Sequence, residues 1–129
     1  MQLWIRLMIL SLTALGPLAE SATVPKSCAT DERLVAPCFT VHGRLSSWNG
    51  TPTYRISVTG TKRLLGVSEG RFGPNGYELL PLEIPQPTNF DSEYFGDFTV
   101  CPFEPEQPKR MRLVCVSAVN HLRIVDRKK

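Results

Sequence analysis

The sequence predicts a small all-β domain that is exported from the cell, and three observations support this. The chain of 129 residues begins with a short apolar segment, contains four cysteines, and carries several short runs in which apolar and polar residues alternate. Strict alternation is the pattern of a strand with one buried face. Runs of this kind between Gly-, Asn- and Pro-rich turns indicate antiparallel pairing.

The first 21 residues have the composition of a secretory signal peptide. One early cation precedes an apolar run, LMILSLTALGPLA, that is short for a membrane span and is interrupted by Gly and Pro. Small residues at Ala19 and Ser21 fit cleavage after Ser21, with Ala22 as the alternative last residue, and an uncleaved anchor helix is the competing interpretation. The mature chain, 22–129, would be a single disulfide-stapled β domain of 129 − 21 = 108 residues without a membrane span.

The clearest local signal is a β-hairpin centred on Asn49-Gly50. Alternating runs flank this pair, which is typical of a two-residue type I′ turn, although a four-residue loop is an alternative. The two-residue turn would place one apolar face toward the core, with the opposed pairs Val41/Val58, Gly43/Ile56 and Leu45/Tyr54. The outer face would carry the pairs His42/Ser57, Arg44/Arg55 and Ser46/Thr53.

The two opposed arginines suggest a binding face. Like charges directly opposite each other destabilise a sheet, so Arg44 and Arg55 need either solvated, splayed side chains or a shared anionic partner. Guanidinium groups suit carboxylate and phosphate geometry. The candidate anion face predicted from the sequence consists of His42, Arg44, Arg55, Lys62 and Arg63.

Four cysteines in an exported chain indicate two disulfides. Their spacing matches neither a CxxC redox motif nor a zinc knuckle, so the sequence predicts no metal site and no cofactor. Of the three possible connectivities, local pairing is the prediction: Cys28 with Cys38, and Cys101 with Cys115. Connectivity stays open on the sequence alone.

The elements after the first hairpin are shorter. A turn at 60–61 leads to a buried strand at 64–67, and 67–77 is an exposed Gly-rich loop that lacks the spacing of a phosphate-binding loop. The run 77–84 is a candidate edge strand, interrupted by Pro81. Aromatic residues at 90–95 are expected to cover one end of the fold.

A second hairpin is predicted near the end of the chain. A strand at 98–103 and a returning strand at 111–116 flank a turn centred near Glu106, which puts Cys101 opposite position 112 or 113. The run 119–124 would be a last strand or one helical turn. This order of elements favours a closed or nearly closed antiparallel β-barrel of five or six strands, similar to an OB-fold, with a β-sandwich as the alternative.

Charge is segregated along the chain. No Lys or Arg lies between Phe72 and Pro108, a stretch that holds seven carboxylates, and basic blocks precede and follow it. The two blocks could converge in the fold, or neighbouring strands could neutralise them. The net charge of +3 is too small to require nucleic acid as a partner.

These observations favour a secreted or periplasmic binding module. The candidate partners are an acidic polysaccharide, a phosphate-bearing envelope component or an acidic protein, and an inhibitor or protein-interaction domain is the alternative. An enzyme is the least favoured class. His42 could act as a base near Ser57, but no carboxylate orients it in that hairpin, and His121 has no companion at metal-ligand spacing, so no catalytic residue is predicted.

The segments HGRLSSWNGTPTYRI and GTKRLLGV resemble a motif of a family of small secreted bacterial proteins of unknown function. Weaker similarity extends to GDFTVCPFEP and MRLVCV. The resemblance implies export and a common fold, and it implies no activity, ligand or catalytic residue.

Overall fold

Five strands close into a barrel in a computed structural model of the chain. The structure describes residues 16–17, 27–68, 79–85 and 90–127. A short 3₁₀ turn, Cys28–Thr30, precedes β1 (Phe39–Ser47), β2 (Tyr54–Val58), β3 (Leu64–Val67), β4 (Ser92–Pro102) and β5 (Arg112–Asp126). Around the barrel the strands follow the order β1-β2-β3-β5-β4, and β4 pairs with β1 to close the ring.

The all-β class and the OB-like barrel are confirmed, but the sheet is mixed where the sequence predicted an antiparallel one. The strands β3 and β5 run parallel, with Gly66 opposite Leu113, while every other neighbouring pair in the ring is antiparallel. Five strands in a closed ring cannot all be antiparallel to their neighbours, since with an odd number of strands one neighbouring pair must run in the same direction. The parallel pair therefore follows from closure.

The barrel interior is filled by the inward side of each strand. Leu45, Ile56, Leu65 and Phe98 are completely buried, as alternation predicts for strands with one face toward the core. The run 79–85 is not the predicted edge strand. It turns instead, with the Ile84 N–H donating to the Pro81 carbonyl over 3.0 Å. Leu80 and Ile84 still pack in the core without strand pairing, whereas Leu82 is exposed.

The first hairpin forms, but its register differs from the predicted one by two residues. Leu45 lies opposite Ile56, and Arg44 lies opposite Ser57. The Trp48 N–H donates to the Thr53 carbonyl over 2.7 Å, so the loop has four residues, 49–52, which was the alternative. A shift of two residues keeps every side chain on its own face, because the side-chain period of a strand is two.

The second hairpin is longer than predicted. Cys101 lies opposite Cys115 and not opposite position 112 or 113, and 119–124 continues β5 as a strand. The aromatic residues at 90–95 differ in burial: Tyr94 packs in the core, Phe95 lies on β4 with intermediate burial, and Phe90 is exposed. The predicted aromatic cover of the barrel end is therefore wrong for Tyr94 and Phe95, which belong to the sheet.

Two disulfides form, and the predicted local pairing is wrong. Cys28 bonds Cys115, and Cys38 bonds Cys101, across sequence separations of 87 and 63 residues. Although Cys101 and Cys115 lie opposite each other, each bonds a cysteine of the segment 28–38, which packs outside the sheet. The sulfur atoms of Cys28, Cys101 and Cys115 lie within 4.8 Å of one another, but all are in disulfides and hold no metal.

The disulfides also bear on location. Two disulfides indicate an oxidising extracellular or periplasmic environment. The predicted signal peptide, 1–21, lies outside the described residues apart from Gly16 and Pro17. No helix in the described part of the chain is long and apolar enough to cross a membrane.

Candidate functional site

The five residues of the predicted anion face do not form one site. With the observed register, Arg44 pairs with Ser57 and Arg55 pairs with Ser46, so the two arginines are no longer opposed. They are diagonal neighbours on the same face, so the direct opposition that suggested a shared anion is not formed. On the β2 side Arg44, and not His42, lies opposite Ser57, so the predicted His42/Ser57 pair is wrong as well; on the β4 side His42 pairs with Asp97.

Arg44 is neutralised within the protein. Its Nη1 lies 3.4 Å from the Glu93 Oε1, and Arg127 binds the same carboxylate. Only 11% of the Glu93 side chain is exposed, so the two arginines compensate a carboxylate that has lost most of its water. This is the neutralisation by the acidic middle segment that the sequence left open.

Arg55 lies near the start of β2, next to the loop that joins β1 and β2. Its Nε donates to the Pro52 carbonyl over 3.1 Å, and its guanidinium stacks on the Trp48 ring with 5.2 Å between the guanidinium carbon and the ring centroid. The Trp48 side chain is 42% exposed. Together they form a flat, partly exposed platform, a shape that can stack against a sugar or another ring.

Lys62 and Arg63, in contrast, line a groove between two loops. The groove has a volume of about 750 Å³ and lies between the β2–β3 loop and the β4–β5 loop, and we call it the basic groove. Its lining residues are Thr61, Lys62, Arg63, Leu64, Glu106, Gln107, Pro108, Lys109, Arg110 and Met111. The two basic blocks that flank the acidic stretch thus meet here.

Local hydrogen bonds shape the β2–β3 side of the groove. The Thr61 hydroxyl donates to the Val58 carbonyl over 2.9 Å and accepts from the Arg63 N–H over 3.0 Å. A hydroxyl that bonds neighbouring backbone in this way holds a tight turn. Lys62 lies within this turn, at the groove.

The β4–β5 loop is anchored by one acidic residue. The Leu113 N–H donates to the Glu104 Oε1 over 2.9 Å, and the Arg112 Nε donates to the Glu104 carbonyl over 2.8 Å. Further along the loop, Lys109 has a φ of 60°, which is uncommon for a residue other than glycine. The loop is therefore tied at its base and bends sharply beside the groove.

The charges of the groove are only partly compensated. Arg63 forms an ion pair with Glu106, and the Arg110 Nη1 donates to the Gln107 side-chain oxygen over 3.1 Å. Within the described ranges, Lys62 and Lys109 form no ion pair. Four cations and one carboxylate line the groove, so it carries a formal charge of 4 − 1 = +3.

The loop that carries the Trp48 platform lies next to the loop that lines the groove. The two loops meet at the buried Gly66 of β3, where an added Cβ would lie 2.7 Å from the Pro52 Cγ and 3.1 Å from the Met111 Sδ. The β1–β2 loop and the β4–β5 loop therefore meet over β3. Ligands of OB-folds bind at the face of the second and third strands and at these two loops.

The two histidines meet on another part of the barrel. The Nδ1 atoms of His42 and His121 lie 2.6 Å and 2.9 Å from the two carboxylate oxygens of Asp97. Hydrogen bonds from His42, and then from His121, hold the pKa of the Asp97 carboxyl below its usual value. The sequence predicted no companion for His121, and the fold supplies one.

Of the cations that line the basic groove, the sequence predicted Lys62 and Arg63 as site residues and missed Lys109 and Arg110. It also missed Trp48, which stacks with Arg55. The basic block after Pro108 was the available signal, but its place relative to Lys62 depends on the barrel. Comparisons with protein-family models, curated proteins and solved structures find no match. The resemblance to small secreted bacterial proteins stays a prediction.

Proposed function

We propose that this protein is an exported binding module that holds a polymer with carboxylate or phosphate groups in the basic groove. The observation that carries the proposal is the meeting of Lys62 and Lys109, two cations without an ion-pair partner in the described residues, in a groove of about 750 Å³. Cations left unpaired beside each other repel, and an anion between them removes that repulsion.

A polymer fits this surface better than a small anion does. Pro52 of the β1–β2 loop and Met111 at the edge of the basic groove both lie against Gly66, so a long ligand in the groove has the Trp48 platform on the neighbouring loop. Lysine acts as a point charge without the bidentate geometry of arginine, which suits repeated anionic groups more than one specific group. The Arg63–Glu106 pair adds a carboxylate that competes with the ligand for Arg63.

Retention on immobilised polygalacturonate and polyphosphate, over a range of salt concentrations, tests the proposal and separates carboxylate from phosphate recognition. The double variant Lys62→Gln/Lys109→Gln should elute at lower salt. Each cation that contacts a polyanion contributes about 0.7–0.9 to the slope of log K against log salt, as measured for nucleic acids, so the slope should fall by about 1.5. Neutral dextran should not retain the protein.

Two further variants make the test specific to the groove. Arg44→Ser/Arg123→Gln removes the same number of charges elsewhere and should leave retention unchanged, although loss of the Arg44–Glu93 pair should lower the melting temperature. Glu106→Gln should raise retention, because it releases Arg63 and removes the competing carboxylate. Equal loss in the two double variants, or no retention of the wild type at low salt, would reject the basic groove as a polyanion site.

A further inference from the structure

The two disulfides of the barrel lie side by side. The sulfur atoms of Cys28, Cys101 and Cys115 are within 4.8 Å of one another, and they belong to two different bridges, Cys28–Cys115 and Cys38–Cys101. Cys101 therefore lies beside the Cys28–Cys115 bridge without being bonded to it. Disulfides exchange when a thiolate attacks one of their sulfur atoms, so a thiolate at Cys101 would have a second disulfide within reach.

The four cysteines differ in their access to solvent. Cys28, Cys101 and Cys115 are 1% exposed or less, whereas Cys38, the residue before β1, is partly exposed. The rate of exchange depends on access to the sulfur that is attacked, so an external thiolate should react at Cys38. This attack breaks the Cys38–Cys101 bond and leaves the electron pair on the Cys101 Sγ. It thus produces a buried thiolate next to the other bridge.

The sheet favours Cys115 as the sulfur that this thiolate attacks. Cys101 of β4 and Cys115 of β5 lie directly opposite each other. Opposed residues of an antiparallel pair have Cα atoms about 4.5–5.5 Å apart, which is within the range of about 4.4–6.8 Å found for disulfides. The new bond therefore requires no change of register. Cys28, in contrast, lies in the 3₁₀ turn outside the sheet and can leave.

The segment 28–38 is held on the outside of the barrel mainly by its two bridges. Between them, the Val35 N–H donates to the Pro102 carbonyl over 3.0 Å, and the Arg33 guanidinium carbon lies 6.0 Å from the centroid of the Phe103 ring. A chain end that loses its covalent bond regains conformational freedom. Release of Cys28 from Cys115 therefore loosens the segment, while a Cys101–Cys115 bond keeps a disulfide in the sheet.

We propose that the four cysteines form a thiol relay, in which a dithiol oxidoreductase reduces the protein at Cys38 and thereby frees Cys28. The first thiolate of the dithiol bonds the Cys38 Sγ and expels the Cys101 thiolate, which attacks the Cys115 Sγ and expels the Cys28 thiolate. The second thiol of the dithiol then attacks its own partner sulfur and releases Cys38.

The reaction balances as one two-electron exchange. The dithiol becomes a disulfide and gives up two electrons and two protons. The protein takes them up and ends with one bridge, Cys101–Cys115, and with thiols at Cys28 and Cys38. Simple reduction of the accessible bridge would instead leave thiols at Cys38 and Cys101. The position of the second thiol therefore distinguishes the relay from simple reduction.

Reaction of the oxidised protein with one equivalent of dithiothreitol, without oxygen, tests the relay. Alkylation and peptide mapping should find equal label on Cys28 and Cys38, together with a peptide that links Cys101 to Cys115. Trypsin should then cleave after Arg33 faster than in the oxidised protein. Label on Cys38 and Cys101, label on Cys28 and Cys115, or an unchanged rate of cleavage after Arg33 would each overturn the proposal.

Two matched variants test the transfer step without an external thiol. Cys28→Ser leaves the Cys38–Cys101 bridge and a thiol at Cys115, and the relay should move that thiol to Cys38. Cys38→Ser leaves a thiol at Cys101 beside the Cys28–Cys115 bridge, and the relay should move it to Cys28. Label that stays on Cys115 in the first variant and on Cys101 in the second would refute the transfer. Circular dichroism checks that each variant is folded, and the wild-type experiment decides if one is not.

Discussion

Gly43→Ala should be among the most damaging small substitutions in the barrel, because an added methyl group at Gly43 would meet the backbone of β2. An added Cβ would lie 2.7 Å from the Ser57 carbonyl oxygen and 2.9 Å from the Ile56 Cγ2. The first contact is with backbone, so a rotamer change cannot relieve it. Gly43 also pairs with Gly96 on the other side, so β1 has no unpaired edge toward which it can move.

The expected size follows from these contacts. An ordinary carbon–oxygen contact is about 3.4 Å, so the methyl group overlaps the carbonyl oxygen by roughly 0.7 Å, and overpacking of this kind costs about 1–3 kcal/mol. The upper half of that range applies because the obstacle is backbone. A loss of about 2–3 kcal/mol in the free energy of unfolding lowers the melting temperature of a domain of this size by about 10–20 °C.

Thermal melts and urea titrations of the oxidised protein would measure this, with Gly60→Ala as the matched control. Gly60 has no atom within 4 Å of an added Cβ, but its φ is 76°. The same methyl group there costs only the left-handed backbone penalty, about 1–2 kcal/mol. If Gly43→Ala melts within a few degrees of the wild type, or loses less stability than Gly60→Ala, the close packing of β1 on β2 is refuted.

Two further predictions concern the disulfides and the first loop. Proteolysis without reduction should release peptides that link Cys28 to Cys115 and Cys38 to Cys101, and the denatured protein should show essentially no reactive thiol; a peptide linking Cys28 to Cys38 would contradict the observed pairing. Gly50→Val should be destabilising by about 1–2 kcal/mol, because Gly50 has a φ of 133°. Asn49→Val should cost much less, because Asn49 does not have positive φ. Equal losses of stability in the two variants would instead support the two-residue type I′ turn.

Much of the fold could be predicted from the sequence because it depends on local patterns. Alternation identified the cores of β1 and β2, apolar runs beside turn residues identified β3, β4 and the first half of β5, and the even number of cysteines indicated two disulfides. The run 79–84 shows the limit of this reasoning, since Leu80 and Ile84 pack in the core from a turn. Apolar residues indicate that a segment is buried, but a short apolar run does not indicate whether its backbone pairs with another strand.

The register of the first hairpin was beyond the sequence for a related reason. Alternation states which face a side chain occupies, and a shift of two residues leaves every face unchanged. The observed shift still changed the opposed pairs, so Arg44 and Arg55 do not lie directly opposite each other as predicted. The sequence also left the disulfide pairs open, because the cysteines of segment 28–38 could bond either cysteine of the second hairpin.

What the sequence determined by itself is therefore the composition of each element: which residues lie in strands, which side of a strand is apolar, and how many disulfides can form. Only the tertiary structure decided which distant residues meet, as Lys62 meets Lys109 in the basic groove and His42 meets His121 at Asp97. The physical reason is that strand patterns arise from neighbours along the chain, whereas closure of the barrel sets the distances between loops and between strands.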